Sequence, residues 1–317
     1  MSELVSEARP AGAKSSRPDA PSAIQTIAVI GAGIMGRGIA HVAALGGYRT
    51  ILEDILPASL RRAESEIRSN LGKAVELGKV SKDDADAAQQ RIEFASSVKQ
   101  AAREADMVIE AVPEEMDSKI EIFTLLDKVC RPHTILASNT SSFSITEIAS
   151  VTYRAPLCLG MHFFNPVHKM KLLEVVRGLE SSEATIAAAA EVGRRMGKEV
   201  VVIKEAPGFI TSRINAMIGN EAFYMLQEGI ASAADIDKAL KLGLNHPMGP
   251  FEMVDLVGLD TRLHILEYLH KSLGEKYKPA PLLVQYVKAG RLGRKSGRGV
   301  FEYPEELARR KAPGKSD

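Results

Sequence analysis

At about 150 residues per domain, a chain of 317 residues holds roughly two domains, each large enough for a core of its own. Lys plus Arg number 41 against 40 Asp plus Glu, and a formal net charge of +1 gives no chain-wide field for gripping nucleic acid or an anionic membrane. A hydrophobic fraction of 45% with 26% charged residues excludes a disordered chain, and no uninterrupted apolar run reaches the 18 or so residues of a membrane span.

Residues 1–22 are rich in Ala, Ser and Pro and lack the apolar stretch of a secretory signal. Arg9, Lys14 and Arg17 are matched by Glu3, Glu7 and Asp19, unlike an Arg-rich, acid-poor presequence. The segment reads as a disordered extension, and so does 311–317. The first expected strand is Thr26–Ile30, a β-branched run ending in glycines. A helix over Ile34–Leu45 follows, ended by Gly46-Gly47, and then a strand over Arg49–Asp54. Strand, tight glycine turn, helix and strand in about 30 residues make one βαβ unit. Charged helical stretches at Leu60–Leu77 and Lys82–Gln90, the second with Ser81 as N-cap, have no strand between them and read as an inserted helical hairpin.

Strand runs then recur at Ile92–Ala95, Met107–Val112, Thr134–Ser138, Leu157–Phe163, Leu173–Val176 and Val200–Ile203. Past Pro207-Gly208 the pattern turns to helices of period 3.6, broken at Gly229, Gly243, Pro247 and Pro250. The expectation is an α/β fold: a doubly wound Rossmann-type sheet with the helical hairpin over residues 23–205, then an all-helical C-terminal domain over 206–310. Cys130 and Cys158 lie in apolar runs and are too few for a disulfide framework, so a cytoplasmic home is the simplest.

Gly31-Ala-Gly33-Ile-Met-Gly36 matches G-x-G-x-x-G between a strand and a helix. Gly31 permits the tight turn, Gly33 lets backbone approach a pyrophosphate, and Gly36 lets helix and strand pack closely. The helix start, Ile34 and Met35 included, offers N–H groups and partial positive charge to the phosphates. Glu53 and Asp54 follow about 20 residues on, at the end of the next strand. Asp54, at the carboxyl tip, is placed to accept the adenosine ribose hydroxyls of NAD and to repel the extra phosphate of NADP. Glu53 points to the other face, and the plainer reading of both acids is solvated strand-end charge. Arg49 and Arg61 keep NADP open as the alternative.

Longer motifs follow. They are Ala137-Ser-Asn-Thr-Ser-Ser142, Gly160-Met-His-Phe-Phe-Asn-Pro166 with Leu172-Leu-Glu174, Asn245-His-Pro-Met-Gly-Pro250 and Gly258-Leu-Asp260. In these the chain resembles the L-3-hydroxyacyl-CoA dehydrogenases, the single-activity 3-hydroxybutyryl-CoA type above all, over roughly residues 24–305. The resemblance implies NAD as cofactor, an acyl-CoA substrate, a place in fatty acid metabolism and a homodimer. It implies that His162 is the catalytic base and Glu174 its carboxylate partner. Imidazole titrates near neutrality and suits proton exchange with a secondary alcohol. A carboxylate on its other nitrogen fixes the tautomer and stabilises the imidazolium. On spacing alone a buried histidine satisfied by backbone is the plainer reading, and the surrounding motif reverses it.

By the same resemblance Ser141 hydrogen-bonds the reacting oxygen, Asn165 supports the histidine and substrate, and Glu114 and Lys119 line the nicotinamide side. The plainer alternatives are a capping hydroxyl for Ser141, a turn before Pro166 for Asn165, and an exposed helix-start ion pair for Glu114 and Lys119. One departure stands out. After Pro207-Gly208-Phe209 the family commonly has x-x-Asn-Arg, where this chain has Ile210-Thr211-Ser212-Arg213. The shorter Ser212, acting through water, or Thr211 then takes the place of the asparagine. Lys73, with Lys79 and Arg68, is the candidate for the coenzyme A phosphates, on the hairpin that resembles the family's CoA-facing element. Phe223, Met225 and Leu226 are apolar positions for a dimer interface or, equally, for the domain's own core.

Gly290-Arg-Leu-Gly-Arg-Lys-Ser296 has Arg294 rather than glycine before Lys295 and fails as a nucleotide-triphosphate loop. The histidines at 41, 133, 162, 168, 246, 264 and 270 form no H-E-x-x-H, so no metal site is expected. Two rival readings stand beside the main one. They are a sugar-acid dehydrogenase of L-gulonate type on the same scaffold, and a non-catalytic NAD-binding protein of lens-crystallin type.

Overall fold

The β-branched run Thr26–Ile30 forms strand β1 and is buried along its whole length, as a central parallel strand covered on both faces must be. The computed structural model describes residues 23–304. By mutual contact the chain divides into two units, one of residues up to 139 with Ile148–Val202, the other of Thr140–Glu147 with the residues from Ile203 onward.

The chain runs in the order β1, α1 (Ile34–Leu45), β2 (Arg49–Glu53), α2 (Pro57–Glu76), α3 (Lys82–Gln90), β3 (Ile92–Ala95), α4 (Val98–Ala102) and β4 (Met107–Glu110). It continues through α5 (Met116–Val129), β5 (Ile135–Ser138), α6 (Ile145–Ala149), β6 (Cys158–Phe163), β7 (Leu172–Arg177), α7 (Glu183–Arg195) and β8 (Glu199–Lys204). The strands form one sheet in the order β3-β2-β1-β4-β5-β6-β7-β8. Pairing is parallel from β3 to β6 and antiparallel between β6 and β7. Alternate residues of the strands, Ile27 and Val29, Met107 and Ile109, Leu159 and Met161, pack in one layer with Ile39 and Val42 of α1 and Ile186 and Ala189 of α7.

The inserted hairpin is real. Ser81 caps α3 by accepting from Asp84 N–H at 3.0 Å. Ala63, Ile67 and Leu71, one stripe of α2, join Ala85 and Ala88 of α3 in the same core as α1. β4 stops at Glu110, two residues earlier than the sequence pattern, because the N–H of Val112 turns back to Glu110 Oε1 at 2.8 Å.

The second unit is helical: α8 (Thr211–Gln227), α9 (Ala233–Gly243), α10 (Pro250–Val257), α11 (Leu259–Leu273) and α12 (Pro281–Lys288). Its core joins Ala216, Phe223, Phe251, Leu259, Leu266 and Tyr277, with the rings of Phe223 and Phe251 edge to face at 5.2 Å. Phe223 is fully buried in that core, and Met225 and Leu226 are partly buried and pack against it. Two aspartates tie the helices together. Asp237 accepts from Phe251 and Glu252 N–H at the start of α10. Asp255 accepts from Val300 N–H, Phe301 N–H and Tyr303 O–H. No helix among the described residues is long and apolar enough to cross a membrane.

Candidate active site

At the end of β1 the chain turns through Gly31 with φ +97°, where a Cβ would come within 2.8 Å of Ala111 O. Gly31 N–H donates to Glu53 O at 2.8 Å, tying the turn to β2. Helix α1 then opens with no side-chain cap and no acidic residue in its first turn. Its first N–H groups, Ile34 and Met35 among them, have no acceptor within the helix and lie at the positive end of its dipole. A Cβ on Gly33 would meet nothing within 4 Å, which leaves the backbone open to close approach. A Cβ on Gly36 would overlap Gly31 O, so only glycine lets helix and turn pack together. Asp54 Oδ2 accepts from Ala32 N–H and Oδ1 from Leu56 N–H, both at 2.9 Å, which holds the carboxylate at the turn. These features fit a dinucleotide: donors for its diphosphate, a fixed carboxylate for its ribose, and room between them.

Glu53 is not the solvated charge that the sequence leaves open. It is 5% exposed, and burial, then the neighbouring Asp54, push its carboxyl up to about 7.

His162 and Glu174 meet because β7 turns back along β6. In that antiparallel ladder they are directly opposite partners, so both side chains leave the same face at the same level. His162 Nδ1 lies 2.7 Å from Glu174 Oε2, with His162 6% and Glu174 1% exposed. The ring of Phe164 packs against the imidazole at 4.4 Å between centroids. The next backbone N–H, that of Phe163, donates to Asn139 Oδ1 at 3.0 Å, anchoring the tip of β6 to the residue that follows β5.

Lys119, on α5, is 1% exposed, which removes the exposed ion-pair alternative for it. Its Nζ donates to Glu110 Oε1 at 2.9 Å and lies 3.2 Å from Glu114 Oε2. Glu110 Oε2 in turn accepts from Ser138 Oγ at 2.6 Å. The sequence motif brought Glu114 and Lys119 forward and passed over Glu110, although an acid closing a buried apolar strand was the available signal.

A cavity of 210 Å³ in the first unit is lined by Ile34, Arg37 and His41 of α1, Glu66 and Asn70 of α2, and Asn165 and His168. It therefore brings Asn165, itself exposed, beside the first residue of α1. Lys73 is exposed and continues the α2 stripe of Glu66 and Asn70, four residues and then three further on. Arg68 is paired with Glu64 at 3.1 Å. Ser141 and Ser212 both belong to the second unit, and both are half-buried. Thr140 Oγ1 accepts from Phe143 N–H at 3.0 Å and Ser144 Oγ from Glu147 N–H at 3.1 Å. Ser212 is the second residue of α8. Among the described residues no group of three or more His, Cys, Asp or Glu is arranged to hold a metal ion.

A mostly parallel sheet with an open glycine turn suits a dinucleotide, and a buried imidazole braced by a carboxylate suits proton exchange. Sequence profiles give the class. Residues 26–206 match the family described as 3-hydroxyacyl-CoA dehydrogenase, NAD binding domain, and residues 208–303 match 3-hydroxyacyl-CoA dehydrogenase, C-terminal domain. A 3-hydroxybutyryl-CoA dehydrogenase of Bradyrhizobium diazoefficiens is 44% identical over 281 residues, 88% of this chain and 96% of that one. The human mitochondrial hydroxyacyl-coenzyme A dehydrogenase is 38% identical over 88% of this chain and 91% of its own. The crystal structure of (S)-3-hydroxybutyryl-CoA dehydrogenase from Ralstonia eutropha superposes with a TM-score of 0.86 at 42% identity, covering 89% of this chain and all of that one. The chain belongs to the 3-hydroxyacyl-CoA dehydrogenase family and is an NAD-dependent enzyme of that family.

Proposed function

We propose that the enzyme interconverts short-chain L-3-hydroxyacyl-CoA, 3-hydroxybutyryl-CoA foremost, and the 3-oxoacyl-CoA, with His162 as the proton-transferring base and Glu174 as its partner. The observation that carries this is the 2.7 Å contact between His162 Nδ1 and a carboxylate that is 1% exposed. With Nδ1 committed to Glu174, exchange with the substrate falls to Nε2. In oxidation Nε2 takes the hydroxyl proton as the C3–H bond breaks and the C3 carbonyl forms. NAD, when bound, takes up the hydride. Glu174 stabilises the imidazolium that results, and in the reverse direction the same nitrogen returns the proton. Gly31, Gly33, Ile34, Met35 and Gly36 hold the diphosphate, Asp54 the adenosine ribose, and Glu114 and Lys119 flank the nicotinamide half.

Ser141 donates to the reacting oxygen, Asn165 holds the substrate beside the imidazole, and Ser212 stands where the family has its asparagine. Lys73 pairs with a coenzyme A phosphate, supported by its place on the α2 stripe that lines the cavity. The names of relatives above 40% identity support the short acyl chain. We place the enzyme in the cytoplasm, as a homodimer that covers the exposed Ile210, Ile214 and Met217 at the start of α8.

Oxidation of NADH with acetoacetyl-CoA, longer 3-oxoacyl-CoAs and free acetoacetate, and reduction of NAD⁺ with L-gulonate, test the reading. Acetoacetyl-CoA is expected to turn over fastest, and a preference for L-gulonate would overturn the assignment. His162→Ala should lower kcat by about 10²–10⁴-fold with NADH binding retained. A loss below tenfold would remove His162 from the chemistry.

A further inference from the structure

Glu110 ends β4 with its carboxylate wholly buried. Oε1 accepts from Lys119 Nζ and from Val112 N–H, at 2.9 and 2.8 Å, and Oε2 accepts from Ser138 Oγ at 2.6 Å. Lys119 also lies 3.2 Å from Glu114 Oε2. Two carboxylates thus flank one ammonium, so the three side chains sum to one net negative charge, with Glu110 and Lys119 shielded from water and Glu114 on the solvent side. Stability is a poor reason for such a cluster, since well-packed apolar side chains of the same volume hold a core at least as well. Its place argues for another one. The cluster lies at the carboxyl ends of two neighbouring parallel strands, the rim along which sheets of this kind bind their ligands.

We propose that Glu110 is a positioning residue that sets the balance between oxidised and reduced cofactor. It fixes Lys119 and leaves the cluster one charge negative, which favours the cationic nicotinamide ring of NAD⁺ over the neutral ring of NADH. The inference rests on the reading above that Glu114 and Lys119 flank the nicotinamide half.

Charge arithmetic separates this from a purely structural role. Glu110→Gln keeps the shape and takes the cluster from −1 to 0. Lys119→Met takes it to −2, and the double variant returns it to −1. With both dissociation constants measured by titration calorimetry, the ratio of Kd for NAD⁺ to Kd for NADH should rise about tenfold in Glu110→Gln. It should fall in Lys119→Met and return to within about twofold of the parent in the double variant. A ratio unmoved by Glu110→Gln, or moved the same way by both single variants, would overturn the proposal. Should Glu110→Gln fail to fold, Lys119→Met and the double variant still decide, because equal ratios in those two and the parent would overturn it. Lys119→Met that leaves both constants at their parent values would overturn the underlying placement of the nicotinamide, and the proposal with it. Equal weakening of both constants would overturn the proposal alone.

Discussion

A carboxyl group buried beside the glycine turn makes the stability of this enzyme depend on pH. Glu53 is pushed up to about 7 by burial and then by Asp54. An unfolded glutamate ionises near 4.3, so between that value and about 7 the folded chain holds a proton that the unfolded chain has lost. Stability therefore falls as pH rises through this window, and the penalty is complete above it. Glu53→Gln should stabilise the protein by about 1–3 kcal/mol at pH 8 and by little near pH 4.5. Thermal unfolding at the two pH values checks this, and an equal shift at both would contradict it. The sequence placed Glu53 at the strand tip and gave no reason for its burial. The reason lies with the strands on either side, where Ile30 of β1 and Ala95 of β3 stand level with it. Lys119 is the same lesson. Its motif was readable, but its burial was not, because Ser138, which closes the cluster on the far side of Glu110, comes from another strand. His162 and Glu174 were readable as a pair because their motif fixes both.

Among the elements, α10 shows how the helical unit is held. Asp255 on this helix satisfies two backbone N–H groups and the hydroxyl of Tyr303, and burial together with that carboxylate pushes the phenol up to about 12. Asp255→Ala strands three donors and should lower unfolding stability by about 2–4 kcal/mol, measured by urea titration. A loss under about 0.5 kcal/mol would mean that water replaces the carboxylate without penalty. At this scale the sequence was most legible where one local signal settles an element. The glycine turn gave β1, α1 and β2, and a serine cap gave the hairpin's second helix. It was least legible where direction matters. Nothing in Leu172–Arg177 says that β7 runs against β6, because a strand buried on both faces reads alike in either sense.

The whole molecule has two packed units, and both the strand-rich and the helical halves follow from the change of hydrophobic period after residue 204. What the linear pattern hid is that Thr140–Glu147 packs with the helical unit while the residues before and after it belong to the sheet. Ser141 is in that excursion. The assembly is also decided at this scale. Phe223 is buried in the core, with Met225 and Leu226 partly buried against it, whereas Ile210, Ile214 and Met217 are 50%, 54% and 37% exposed, at helical spacing. Ile214→Lys should convert the proposed dimer to a monomer in light scattering while leaving the fold intact by circular dichroism. A variant that remains dimeric, or a parent that is already monomeric, would refute that interface.

Because β7 doubles back on β6, the connection at residues 164–171 is a tether and not a ruler. Which residue confronts the imidazole is set by the rungs of the ladder, whatever the slack between its two rails. The rungs would keep their pairing with a residue added in the later part of that connection, whereas one residue added between Leu172 and Glu174 sends the acid to the far side of the sheet. Tolerance and intolerance to insertion thus lie a few residues apart in the same hairpin.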